Sequence, residues 1–214
     1  MAFMSGLLRV LSARDHGRGA LAWPKHDYDW NRVRTRLAYR SITSGVQQLE
    51  LGPRIKRYAV SSRTLQPSKP GCSVRAAAHC VTMDLPKLAG GNDEAPQPVE
   101  VLLAALLGCK TATAHFVARN AWPRKHNRIH AIEFCDVEAE RDERGAITLP
   151  ITDEPPVTAA LLSVRGVARV RPTSTEITAR DVAELGEMVD VRCPVAATLR
   201  QAGCLLNFQW VLDA

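Results

Sequence analysis

The chain reads as an α+β domain in which antiparallel sheets surround one long central helix. Three observations predict it. Residues 99–121 carry a broad apolar face at helical spacing, alternating apolar and polar stretches flank them on both sides, and a second helical pattern at 179–191 precedes a final alternating run. At 214 residues and 46% hydrophobic composition, the chain can bury one substantial core. Charged residues interrupt each long apolar run, so no membrane span is expected.

The elements follow in order. Arg54-Ile55-Lys56-Arg57-Tyr58-Ala59-Val60 alternates apolar with basic residues and predicts a half-buried strand. The turn-rich Gln66–Gly71 stretch leads into a second strand, Cys72–Asp84, with Val74, Ala76, Ala78, Cys80 and Thr82 on one face, as in a β-hairpin with a loose loop. Residues 90–98 (Gly90-Gly91-Asn92-Asp93-Glu94-Ala95-Pro96-Gln97-Pro98) are too rich in Gly and Pro for regular structure. Pro98 suits a first helical turn, where its missing N–H is not needed, and Glu100 complements the helix dipole there. The helix is predicted from about Val99 to about Ala121. Leu102, Leu106, Cys109 and Thr113 form one stripe and Leu103, Leu107 and Lys110 the next, a breadth that predicts cover on both sides.

Beyond the helix, Ile129–Ala139 alternates through Ile132, Phe134 and Val137 but slips at Cys135 and Asp136, which predicts a strand with a bulge. Arg141–Gly145 is a charged turn. Val164–Arg171 alternates again. Thr178 is an N-cap candidate for a helix over Ala179–Val191 with Val182, Leu185 and Val189 inward. Cys193 ends that helix, Pro194 opens a short helical turn to Gln201, and Leu205–Val211 makes the last strand.

Charge separates an N-terminal extension, residues 1–50, from the domain, residues 51–214. The net charge is +6, and the first 50 residues hold a surplus of four, which leaves a nearly balanced body and argues against a nucleic-acid-binding domain. Met1–Arg14 has no acidic residue, carries Arg9 and Arg14, and sets Phe3, Leu7, Val10 and Leu11 on one helical face. That start resembles a mitochondrial transit peptide, with cleavage between Ala20 and Ser44 and the matrix as destination. A polar tail with no address is the alternative reading of the same composition. Leu21–Trp30 holds two of the four tryptophans, which makes residues 20–50 a docking candidate if the mature protein keeps them.

The span from His79 to Leu199 resembles the OsmC/Ohr family of osmotically inducible and organic-hydroperoxide-resistance proteins. The residues that carry the likeness are Asp84-Leu85-Pro86, Gly90-Gly91, Ala95-Pro96-Gln97-Pro98-Val99-Glu100, Leu102-Leu103-Ala104-Ala105-Leu106 with Cys109, Ala121-Trp122-Pro123, and Cys193-Pro194-Val195 with Thr198-Leu199. It covers about residues 54–213 and none of the extension. The resemblance implies an intertwined α+β homodimer and a two-cysteine peroxidase. The thiolate at Cys109 would attack the O–O bond of an organic hydroperoxide to give a sulfenic acid, and Cys193 would condense with it to a disulfide.

Burial opposes ionisation of a thiol, so a cation must hold the thiolate. In the peroxidase branches an Arg fixed by a Glu does this, and Arg63 and Arg75 are the candidates here. The sequence departs at the Glu. Val99 follows the proline directly and Glu100 comes one later, so nine steps of about 100° leave Glu100 and Cys109 on opposite faces of a helix. The spacing matches less characterised OsmC-like branches.

Competing readings stand beside these. Cys is among the most buried residue types, so Cys72, Cys80, Cys135 and Cys204 are read as packing. Six cysteines in a matrix protein should be mostly reduced, so no disulfide framework is expected. No C-x-x-C pair exists, and His79, His115, His126 and His130 are scattered, so neither a metal nor a cofactor is predicted. Gly90-Gly91 fits no phosphate-loop or dinucleotide fingerprint. The cluster Arg119, Arg124, Lys125 and Arg128 around Trp122 reads as a solvated helix end.

Two functions follow. One is a mitochondrial thiol peroxidase acting on hydroperoxides, re-reduced, by the resemblance, by a lipoyl or other thiol reductant. The other is a catalytically silent OsmC-fold subunit of a larger mitochondrial assembly, such as the mitochondrial ribosome, held through residues 20–50.

Overall fold

Alternating residues and tight turns build two three-stranded sheets, and one long helix lies between them in the chain. The computed structural model describes residues 55–122 and 128–213. The extension with its transit-peptide and docking segments, Trp23 and Trp30, and the basic residues Arg124 and Lys125 lie outside the described residues. Arg57–Ala214 forms one compact unit.

The first sheet is an antiparallel meander of β1 (Val60–Thr64), β2 (Cys72–Ala76) and β3 (His79–Met83). The strand expected at 54–60 begins only at its last residue, and the strand expected over 72–84 is two strands. Ala77 turns the chain at φ 53°, and the next residues run back along β2. The expected single face of Val74, Ala76, Ala78, Cys80 and Thr82 is therefore broken. Pairing of Ser61 with Arg75 and of Arg63 with Ser73 sets both arginines on one face of the sheet. No other element among the described residues packs extensively on this sheet. Val60 is 69% exposed and Val81 41%.

Asp84, 5% exposed, ties the loop that follows. Its carboxylate accepts the N–H of Leu85 at 2.8 Å, Asn92 at 3.0 Å and Glu94 at 3.3 Å. The Leu85 N–H contributes most to holding the carboxyl below the ordinary Asp range. Gly90 takes φ 86° to end a short 3-10 turn, Lys87–Ala89, and a Cβ on Gly91 would lie 1.8 Å from the Leu85 carbonyl oxygen. The Gly-Gly pair is thus a backbone device that delivers the chain to the helix start.

Helix α1 (Pro98–Ala121) begins with Pro98 in its first turn, and the Glu100 carboxylate accepts the Gln97 N–H at 2.8 Å. By length and hydropathy this helix could cross a bilayer, with a mean of 1.6 over its most apolar window. Here it serves as a core helix. Its buried residues are Leu106, Lys110, Ala114, Val117 and Ala118, whereas Leu102 is 39% and Phe116 53% exposed. The cover expected on both sides is present on one.

The second sheet carries most of the core. Strand β4 (Ile129–Arg141) shifts register between Cys135 and Glu138, with Asp136 at φ 51°, at the slip seen in the sequence. The short helix α2 (Arg144–Ile147) replaces the expected charged turn. It leads by a loop to β5 (Leu161–Pro172), antiparallel to β4. Helix α3 (Ala179–Arg192) starts at Thr178, whose hydroxyl accepts the Asp181 N–H at 3.3 Å. Helix α4 (Pro194–Gln201) follows at once, and β6 (Leu205–Leu212) closes the sheet.

Here the expected antiparallel arrangement is corrected. Strand β6 runs parallel to β5, because the α3–α4 segment is a crossover and not a hairpin turn. Its helices cover one face of the sheet. Gly186 of α3 admits this packing, since a Cβ there would lie 2.4 Å from the Trp210 indole.

Candidate functional site

Cys109 sits at mid-length in α1, and Cys193 is the residue at which α3 ends and α4 begins. The Cys193 N–H donates to the Val189 carbonyl at 2.9 Å, and its own carbonyl accepts the Ala197 N–H at 2.9 Å. Both ends of its backbone are therefore held by helix bonds, which fixes the direction of the side chain. Pro194 can follow because a first-turn position needs no N–H.

The structure brings the two sulfurs together. Cys193 belongs to a core cluster with Leu106, Val164, Ala196, Leu199, Cys204 and Phe208, and Cys109 packs against the same cluster. The thiols are close enough that charge on Cys109 raises the pKa of Cys193, and all six cysteines are free. They differ in access. Cys193 has no exposed surface, while Cys109 is half-buried. Burial is the main influence pushing the Cys193 thiol above its ordinary range. The Ala196 N–H faces the sulfur and works against that shift, without forming a capping hydrogen bond.

Beside the thiols lies a charge that sequence reasoning placed only as a member of an apolar stripe. Lys110 is fully buried and paired with Asp190 of α3. Its ammonium lies 4.5 Å from the centroid of the Phe208 ring and 6.0 Å from that of Trp210. Arg200 of α4 reaches the same carboxylate at 2.9 Å, and its other guanidinium nitrogen donates to the Asp190 carbonyl at 2.6 Å. The ammonium also opposes the upward shift of the Cys193 thiol. A signal was available, since a Lys among Leu103 and Leu107 on a buried face demands an anion. Asp190 is three residues before Cys193.

The other expected site residues lie elsewhere. Glu100 is exposed and serves the start of α1, and no contact joins it to Cys109 among the described residues. Arg63 and Arg75 are exposed on β1 and β2, and no hydrogen bond or ion pair engages either among the described residues. Packing does not account for Cys80, which is exposed on a sheet that no other described element covers extensively, whereas Cys204 is 3% exposed and its thiol is pushed up by burial. Trp122 is buried in the core, so the expected solvated helix end holds for the exposed Arg119 and not for the indole. Among the described residues, no group of three or more His, Cys, Asp or Glu is placed to hold a metal ion.

Comparison with known proteins agrees with this architecture. A family model described as OsmC-like protein matches residues 90–207. No curated protein matches the sequence. Among solved structures, an OsmC-like protein from Mycoplasma pneumoniae aligns with a TM-score of 0.56 at 21% identity, covering 74% of this chain and 99% of its own. An OsmC-like protein of unknown function from Vibrio cholerae aligns at 0.57 and 8% identity, covering 74% and 100%. An organic hydroperoxide resistance protein OsmC from Legionella pneumophila aligns at 0.51 and 13% identity, covering 73% and 99%. At these identities the likeness is one of fold.

Proposed function

Since the chain belongs to the OsmC-like protein family, we propose that it is a thiol-dependent peroxidase that reduces organic hydroperoxides through Cys109 and Cys193. The observation that carries this reading is the meeting of two free thiols, one half-buried and one fully buried, drawn from elements 84 positions apart in sequence. Cys109, the accessible one, attacks as thiolate. The O–O bond breaks, the alcohol leaves after taking up a proton, and Cys109 becomes a sulfenic acid. Attack by the Cys193 sulfur then forms the disulfide and releases water. A dithiol, of the lipoyl kind or a small thiol, returns both sulfurs to the reduced state.

The working unit of this proposal is a homodimer in the mitochondrial matrix. Among the described residues of a single copy, β1–β3 have no extensive partner, and Leu102 and Phe116 of α1, Leu162 of β5 and Leu205 of β6 are exposed. These apolar surfaces, and the arginine-bearing face of the first sheet, suit burial against a second copy. The full chain is expected to elute at twice its 23.5 kDa mass in light scattering. A monomer would refute the dimer.

The chemistry is tested by treating the reduced protein briefly with one equivalent of cumene hydroperoxide and mapping its peptides by mass. A Cys109–Cys193 disulfide is expected, absent from Cys109→Ser. Unchanged thiols, while a control peroxidase reacts, would sink the peroxidase reading in favour of a silent structural subunit.

A further inference from the structure

Two cations, Lys110 and Arg200, share one carboxylate, Asp190, and the Lys110 ammonium lies 4.5 Å from the centroid of the Phe208 ring, which belongs to the same cluster as Cys193. The ionic group is one negative charge short of neutrality, and its fully buried member cannot recruit that charge from bulk water. We propose that Lys110 is a positioning residue of the thiol pair, supplying within one chain the cation that holds Cys193 as thiolate when it attacks the sulfenic acid at Cys109. The inference rests on the reading of the pair as a redox couple and names the group that makes its second step possible.

Burial pushes the Cys193 thiol above its ordinary range. The resolving step needs the sulfur as a nucleophile, so its proton must leave while the sulfur stays out of water. A thiolate there brings the local set to two positive and two negative charges. The groups that face Cys193 limit the alternatives. Helix α1 offers Cys109 and Lys110, while Asp190 of α3 pairs with Lys110 and Arg200 of α4 shares that carboxylate. Its remaining cluster neighbours are uncharged side chains, together with the Cys204 thiol, which burial pushes above its ordinary range. Arg63, Arg75 and Glu100 stand outside this arrangement, which therefore needs no arginine–glutamate pair.

The test is ultraviolet titration of thiolate absorbance in the fully reduced full-length protein, taken as the difference between each form and its Cys193→Ser counterpart. No peroxide is involved, so the result stands apart from whether the protein turns over hydroperoxide. Lys110→Met is expected to raise the Cys193 midpoint by about 1–3 pH units. Asp190→Asn, which leaves both cations without their carboxylate, is expected to lower it by about one unit. A purely structural ion pair predicts the same change for both variants. Should Lys110→Met fail to fold, Asp190→Asn still decides: a lowered midpoint supports the role, and an unchanged or raised one overturns it. In stopped oxidation, Lys110→Met should accumulate a dimedone-reactive sulfenic acid at Cys109, and disulfide formation at the original rate would also overturn the proposal.

Discussion

Cys109→Ser is expected to reduce hydroperoxide turnover by more than about 1,000-fold, because removal of a nucleophile that acts as one unit with its neighbours abolishes the whole path. A serine hydroxyl has no accessible sulfenic state, so nothing remains to take the oxygen. Cys193→Ser should behave differently. Its first oxidation should proceed at close to the original rate, consume one equivalent of hydroperoxide, and stop at a sulfenic acid that dimedone traps on Cys109. The asymmetry follows from access, since the peroxide can reach a half-buried sulfur but not one with no exposed surface. Rapid-mixing consumption of hydroperoxide, with dimedone mapping, checks both variants. Loss of the first oxidation in Cys193→Ser alone would reverse the assignment of the two sulfurs.

The second large effect concerns the packing that holds the sulfurs in place. Leu106→Ala is expected to cost about 2–5 kcal/mol, read as a fall in the urea midpoint at unchanged slope. Leu106 has no exposed surface and shares a cluster with Cys193, Ala196 and Phe208. The lost carbons account for roughly 2 kcal/mol by transfer, and the unfilled cavity for the rest. Relaxation is limited because Phe208 is held edge-on against Phe134, with centroids 5.8 Å apart. A loss below about 1 kcal/mol would show that the cluster collapses into the space, contrary to this packing.

Several elements were legible for local reasons. Thr178 caps α3 because a hydroxyl at that place satisfies an otherwise free N–H, and the bulge at Cys135–Asp136 showed as a slip in strict alternation. The first sheet departs from its expected form for the opposite reason. Its residues alternate weakly, since neither face is buried in the single chain, and Ala77 turns the chain with no Gly, Asn or Pro to mark it. Cys109 and Cys193 were both named from sequence, yet their meeting is a matter of how α1 lies on the α3–α4 junction.

The α+β class, the long helix and its start, and the displacement of Glu100 from the face of Cys109 were readable from the residues alone, because they follow from periodicity, capping and spacing, which are properties of neighbouring residues. The two candidate sulfurs came from the family resemblance. The parallel pairing of β6 with β5, the burial of Lys110 beside a carboxylate that Arg200 shares, and the contrast between a half-buried Cys109 and a Cys193 with no exposed surface came from the folded arrangement. Each of these depends on which distant surfaces exclude water from each other, and that exclusion gives a buried charge its demand for a partner.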